Sequence, residues 1–156
     1  MAKKESVALE SIENSLLQTA NLSPAVLTQI YTNAYIDAAA DEQGEVSLTI
    51  DGIIINMRIL QSEPLILLYA FWPLNPHVPM KDCLKLCNDI NDHMSLVRCS
   101  VVEAQDDKPP FLWVDYVLVT KGGITSREIV GATRTFANAI GDGLARFGTS
   151  GMFAQD

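Results

Sequence analysis

The chain has 156 residues, 48% hydrophobic and 19% charged, which suits a single globular domain able to bury one substantial core. Its net charge of −8 and pI near 4.6 argue against a nucleic-acid partner, because the eleven Lys and Arg residues are scattered and the adjacent pair Lys3-Lys4 sits at the terminus. No apolar stretch of the kind found in a secretory signal follows those lysines, and the longest nearly uncharged apolar run, residues 64–73, is about half of the ~20 residues a membrane-spanning helix needs. A soluble cytoplasmic protein with no membrane insertion is therefore expected. Three cysteines, an odd number, fit a reducing compartment better than a disulfide framework.

In chain order, Val7, Leu9, Ile12, Leu16 and Leu17 give residues 6–20 a helical pattern, so residues 1–22 are expected to form an N-terminal helical extension. Ser23-Pro24 then opens a second helix, with the serine as cap and the proline at the first helical position. Val26, Leu27, Ile30, Tyr31, Ala34 and Ala38 recur at helical spacing, which predicts helix to about Ala39. Strands follow. Val46, Leu48 and Ile50 alternate with Ser47 and Thr49, Asp51-Gly52 is a tight hairpin signal, and residues 53–60 make the return strand. Residues 65–72 are apolar throughout, which predicts a strand covered on both faces, by a helix layer on one side and by a second subunit on the other.

Three prolines within residues 73–79 make a stiff connector. Met80, Leu84, Cys87, Ile90 and Met94 then lie along one stripe of a helix. Residues 95–104 and 110–120 read as two more strands around a polar turn at residues 105–108. Gly122-Gly123-Ile124-Thr125-Ser126-Arg127-Glu128-Ile129 spells a helix start: Thr125 caps, Glu128 completes a capping box, and Ile124 staples against Ile129. The last helix is expected from Ser126 to about Phe147, with Ile129, Thr133, Phe136, Ile140, Leu144 and Phe147 on one side, and a flexible tail over residues 148–156. The order α-βββ-α-ββ-α defines an α+β sandwich with a mostly antiparallel sheet, one domain over residues 23–147.

Residues 23–147 resemble the YbjN family of bacterial proteins. The resemblance is carried by Cys87-Asn88-Asp89-Ile90-Asn91, by Leu96-Val97-Arg98, and by Val114 to Leu118 leading into Gly122-Gly123-Ile124-Thr125. It implies a fold like that of the type III secretion chaperones. The family comprises regulators and unassigned proteins, and the resemblance brings no catalytic residues with it.

Chemistry-bearing residues have plain structural alternatives. His77, Cys83, Cys87, His93 and Cys99 fall within 23 residues, and Cys83 and Cys87 stand one helical turn apart, but structural zinc sites take paired ligands from a tight knuckle and free cysteine often packs as a small hydrophobe. No metal or cofactor is expected. Asn88 and Asn91, three apart on a helix, either present a polar patch to a ligand or satisfy local carbonyls. Asp115 interrupts the face of Phe111, Trp113, Val117 and Val119 and is expected to point to a wet edge, with no titratable companion evident. Nucleophile-elbow, phosphate-loop and zincin motifs are absent, so an enzyme is not expected. Phe71, Trp72, Trp113 and Tyr116 exceed what one face of a small sheet obviously needs, which makes them, with Asn88 and Asn91, the candidate interface residues; a well-filled core is the other reading. The function expected is an acidic, homodimeric, protein-binding or regulatory module with an unidentified protein partner. Two alternatives stay open: a secretion-type chaperone holding one effector segment, and a small-ligand sensing domain near Asn88, Asn91 and Trp113.

Overall fold

The computed structural model describes residues 16–105 and 108–154. Three α-helices and six strands follow in the order α1 (Pro24–Asn33), β1 (Ala38–Ala40), β2 (Val46–Ile50), β3 (Ile53–Leu60), β4 (Leu65–Pro73), α2 (Met80–His93), β5 (Arg98–Val102), β6 (Phe111–Val119) and α3 (Ser126–Phe147). The strands form one antiparallel sheet in the order β1-β2-β3-β4-β6-β5. Two compact units divide the chain: residues up to Leu68 with Val117–Thr135, and Tyr69–Tyr116 with the residues from Phe136 onward. β4, β6 and α3 each contribute a segment to both.

In the first unit, Ser23 caps α1 by accepting from the Val26 N–H at 3.2 Å, and Leu27, Ile30 and Tyr31 turn into the core. The helix stops at Asn33 rather than near Ala39. Tyr35 takes a left-handed φ of 58°, and Ala38–Ala40 pair antiparallel with Val46–Leu48 as an edge strand. Alanine favours helix by at most about 0.7 kcal/mol per residue over ordinary residues, which the sheet hydrogen bonds override. Asp51 and Gly52 both have positive φ, 50° and 81°, as a tight primed turn requires, and they set the register Ile50↔Ile53 through Val46↔Met57.

That register buries Val46, Leu48, Ile55 and Met57 together. The fully buried Tyr31 hydroxyl meets the Thr133 hydroxyl at 2.7 Å and the Met57 sulfur at 3.0 Å, and burial pushes its phenol above the ordinary tyrosine range. Ahead of α1, Leu17 bridges to Ile124 and Thr19–Asn21 form a single 3₁₀ turn, so residues 16–21 are not the α-helix expected there. The rest of that predicted extension lies outside the described residues.

The capping box of α3 forms as its sequence spells it. Glu128 Oε2 accepts from the Thr125 N–H at 2.7 Å and from its hydroxyl at 2.8 Å, while the Glu128 N–H donates to Thr125 Oγ1 at 3.2 Å. Ile124 and Ile129 are both buried beside it.

In the second unit, α2 buries Cys83, Leu86, Cys87 and Ile90. Met80 and Leu84, expected on that stripe, are 38% and 49% exposed, so the helix sits rotated from the predicted face. Asn91 ties the helix to the neighbouring strand: its side chain accepts from the Cys99 N–H at 2.7 Å and donates to the Cys99 carbonyl at 2.9 Å, clamping α2 along β5. The loose tail expected from Gly148 instead returns to the sheet, where Ala154 N–H bonds the Pro73 carbonyl and Asn75 N–H bonds that of Met152, at 3.0 and 2.9 Å. Met152 is buried.

Thr125→Ala is expected to cost about 1 kcal/mol of stability, as loss of an N-cap does, measured by urea unfolding. Both Thr125 donors hold the Glu128 carboxyl below its ordinary range. A depressed carboxylate stabilises above its unfolded pKa and stops doing so as pH falls through the folded value, so Glu128→Gln should remove a small, salt-sensitive part of the acid limb below about pH 4.5.

Candidate functional site

Alternation along β6 places Leu112 and Val114 in the core and Phe111, Trp113 and Asp115 on the opposite face. Tyr116 falls on the core side, 6.4 Å from the Phe136 ring of α3. In β4, Tyr69 and Phe71 share one face and Trp72 takes the other. Tyr69 stacks on Trp113 with ring centroids 4.3 Å apart and 16° between planes. Phe71 meets Phe111 edge-on at 5.9 Å, and Phe111 lies 6.5 Å from Trp113. Four rings thus form one strip, with Tyr69 buried, Phe111 and Trp113 half-buried, and Phe71 50% exposed.

Asp115 anchors the strip. Expected at a wet edge, it is only 3% exposed, because donors from β5 and from its own strand close over it. Its Oδ2 accepts from Trp113 Nε1 at 2.7 Å, from Arg98 Nη2 at 2.9 Å and from Arg98 Nε at 3.2 Å. Arg98 opposes Asp115 in the β5–β6 register, and the carboxylate raises the guanidinium's already high pKa. This arrangement fixes the orientation of the indole and the guanidinium about one carboxylate oxygen.

Of the six residues singled out in the sequence, Phe71 and Trp113 come together through Phe111, whereas Trp72 and Tyr116 lie on the other face of their strands. Asn91 is engaged with the Cys99 backbone and Asn88 is exposed. Tyr69, Phe111 and Arg98 were missed as members of the site. One signal for Arg98 was legible: pairing the two predicted strands symmetrically about the polar stretch 105–108 of the sequence sets residue 98 opposite 115, as the register has it.

The metal-ligand candidates do not converge. Cys87 and Cys99 meet at 3.2 Å between sulfurs, Cys83 lies 4.0 Å from the Met152 sulfur, and the His93 ring rests 4.9 Å from that of Phe147. Among the described residues no three His, Cys, Asp or Glu side chains are placed to hold a metal ion. A cleft of about 400 Å³ opens elsewhere in the second unit, lined by His77, Asp82, Lys85, Asp89, Phe147 and Met152. No helix among the described residues is long and apolar enough to cross a membrane.

A six-stranded antiparallel sheet with three helices, in this strand order, is the fold of the YbjN and type III secretion chaperone-like proteins. The chain belongs to the YbjN family, described as "Putative bacterial sensory transduction regulator", whose pattern matches residues 23–148. It is similar to the crystal structure of YbjN from E. coli, at 20% identity and a TM-score of 0.72 over 90% of this chain and 100% of that one. It is also similar to the ExsC–ExsE complex, at 14% identity and a TM-score of 0.56 over 81% and 95% of the two chains. An uncharacterized protein from Methanothermobacter thermautotrophicus is similar at 12% identity and a TM-score of 0.52 over 81% and 100%. No curated protein matches the chain.

Arg98→Ala should lower stability by about 1–3 kcal/mol, the cost of leaving a buried acceptor short of partners, because it leaves a buried carboxylate with Trp113 alone. Arg98→Lys should recover only part of this, since ammonium lacks the two-pronged fork. Lys85→Ala, which removes an exposed ion pair with Asp89, should cost about 0.5 kcal/mol or less by the same urea titration.

Proposed function

We propose that this chain is a non-enzymatic, homodimeric protein-binding module whose partner docks on the strip of Tyr69, Phe71, Phe111 and Trp113. The carrying observation is Phe71, a large ring 50% exposed at the end of an ordered set of aromatic side chains. Rigid aromatic rings supply contact area at little entropic cost, and clustered exposed apolar side chains mark interaction surfaces. Arg98, 74% exposed along its side chain and held by Asp115, adds a fixed cationic edge for carboxylates or carbonyls of a partner. The ExsC–ExsE complex, a fold relative, is a solved example of such a protein held by another chain, which supports the same use here.

The test is affinity purification of the tagged protein from its host, with mass spectrometry and light scattering of the eluate. A stoichiometric protein partner is expected, lost in Phe71→Ser with the circular dichroism spectrum and thermal midpoint little changed. A secreted partner would narrow the role to a chaperone. A clean monomer at micromolar concentration would refute the homodimer, and a Phe71→Ser variant that retains its partner would refute docking on the strip.

A further inference from the structure

We propose that Cys87 and Cys99 form a reversible internal disulfide, making the junction of α2 and β5 a modification site for small peroxides. The two thiols come from different elements, yet their sulfurs stand 3.2 Å apart, with Cys99 donating to Cys87. Closing to the ~2 Å of a disulfide needs a shift of about one ångström, within reach of side-chain rotation. The backbone is already held for it. Asn91, one helical turn beyond Cys87, grips both the N–H and the carbonyl of Cys99. Cys83, one turn before Cys87, lies against the Met152 sulfur instead.

The roles of the two thiols differ. The hydrogen bond from Cys99 holds the Cys87 thiol below its ordinary range, while that same bond and burial push Cys99 up. Cys87 is therefore the nucleophile: its thiolate attacks one peroxide oxygen, the O–O bond breaks, and hydroxide leaves, giving a sulfenic acid. The Cys99 sulfur then attacks the Cys87 sulfur, the S–O bond breaks, and the Cys99 proton leaves with the hydroxyl as water. Two thiols and one hydrogen peroxide give one disulfide and two waters; the sulfurs lose two electrons and the peroxide gains them. Both cysteines are only 4% exposed, so the site admits a small oxidant and excludes a bulky disulfide such as oxidised glutathione.

The purified full-length protein is treated with hydrogen peroxide, unfolded, alkylated and examined by intact mass and peptide mapping. The expected result is loss of two hydrogens, a cross-linked pair of peptides carrying Cys87 and Cys99, and reversal by dithiothreitol. Cys83→Ala should behave in the same way, Cys99→Ala should leave Cys87 as the oxidised single thiol, and oxidised glutathione should react far more slowly than peroxide. Three alkylatable thiols after peroxide, a bond between Cys83 and Cys87, an intermolecular bond, or sulfinic acid at Cys87 with no cross-link would each overturn the proposal. Should Cys99→Ala fail to fold, the peptide map of the unaltered protein decides alone.

Discussion

Side chains of a β-strand alternate between two faces, and in β6 this alternation sorts the chain's most consequential residues. Leu112 and Val114 are at most 1% exposed on one side, while Phe111, Trp113 and Asp115 line the other. A slip of one residue would carry the aromatic ring and the carboxylate into the core and bring aliphatic side chains out, losing on the order of 1.5–3 kcal/mol for each buried aliphatic residue. The register is therefore strongly specified. The strip exists because the core does.

The carboxylate on that face shows how polarity is accommodated without solvent. A buried charge is costly unless paired and hydrogen-bonded. Asp115 meets that condition with one guanidinium and one indole, the first from the neighbouring strand and the second from its own. The indole is thereby fixed at its polar end by Asp115 and at its ring face by Tyr69. Pre-organisation of this kind lowers the entropy lost when a partner docks, which is why an ordered aromatic surface suits recognition better than mobile side chains. At the β5 edge, Asn91 performs a related service, satisfying backbone groups that the last strand of a sheet would otherwise leave open.

Local signals were legible where the energetics are local. The cap at Ser23, the Asp51-Gly52 turn and the Thr125/Glu128 box each depend on residues within four positions of one another, so their spacing carries the information. The rotation of α2 was not legible, since the expected stripe and the observed one share Cys87 and Ile90 and differ by which neighbours β5 accepts. The same holds at Asp115. Its residue type suggested solvent, but its burial depends on a strand that lies seventeen residues away in the chain. Trp72 and Tyr116 were grouped with Phe71 and Trp113 by composition, whereas the alternation of each strand places them on opposite faces.

The sequence by itself determined the α+β class, the main run of helices and strands, the hairpin turn and the start of the last helix, because hydrophobic periodicity and capping are read within a few residues. Only the tertiary structure decided that Ala38–Ala40 extend the sheet, that residues 149–154 fold back to Leu74 and Asn75, that Arg98 and Trp113 converge on one carboxylate oxygen, and that Cys87 meets Cys99. Those outcomes rest on pairings between segments distant in the chain, whose hydrogen bonds and buried area outweigh the weak local preferences of the residues involved.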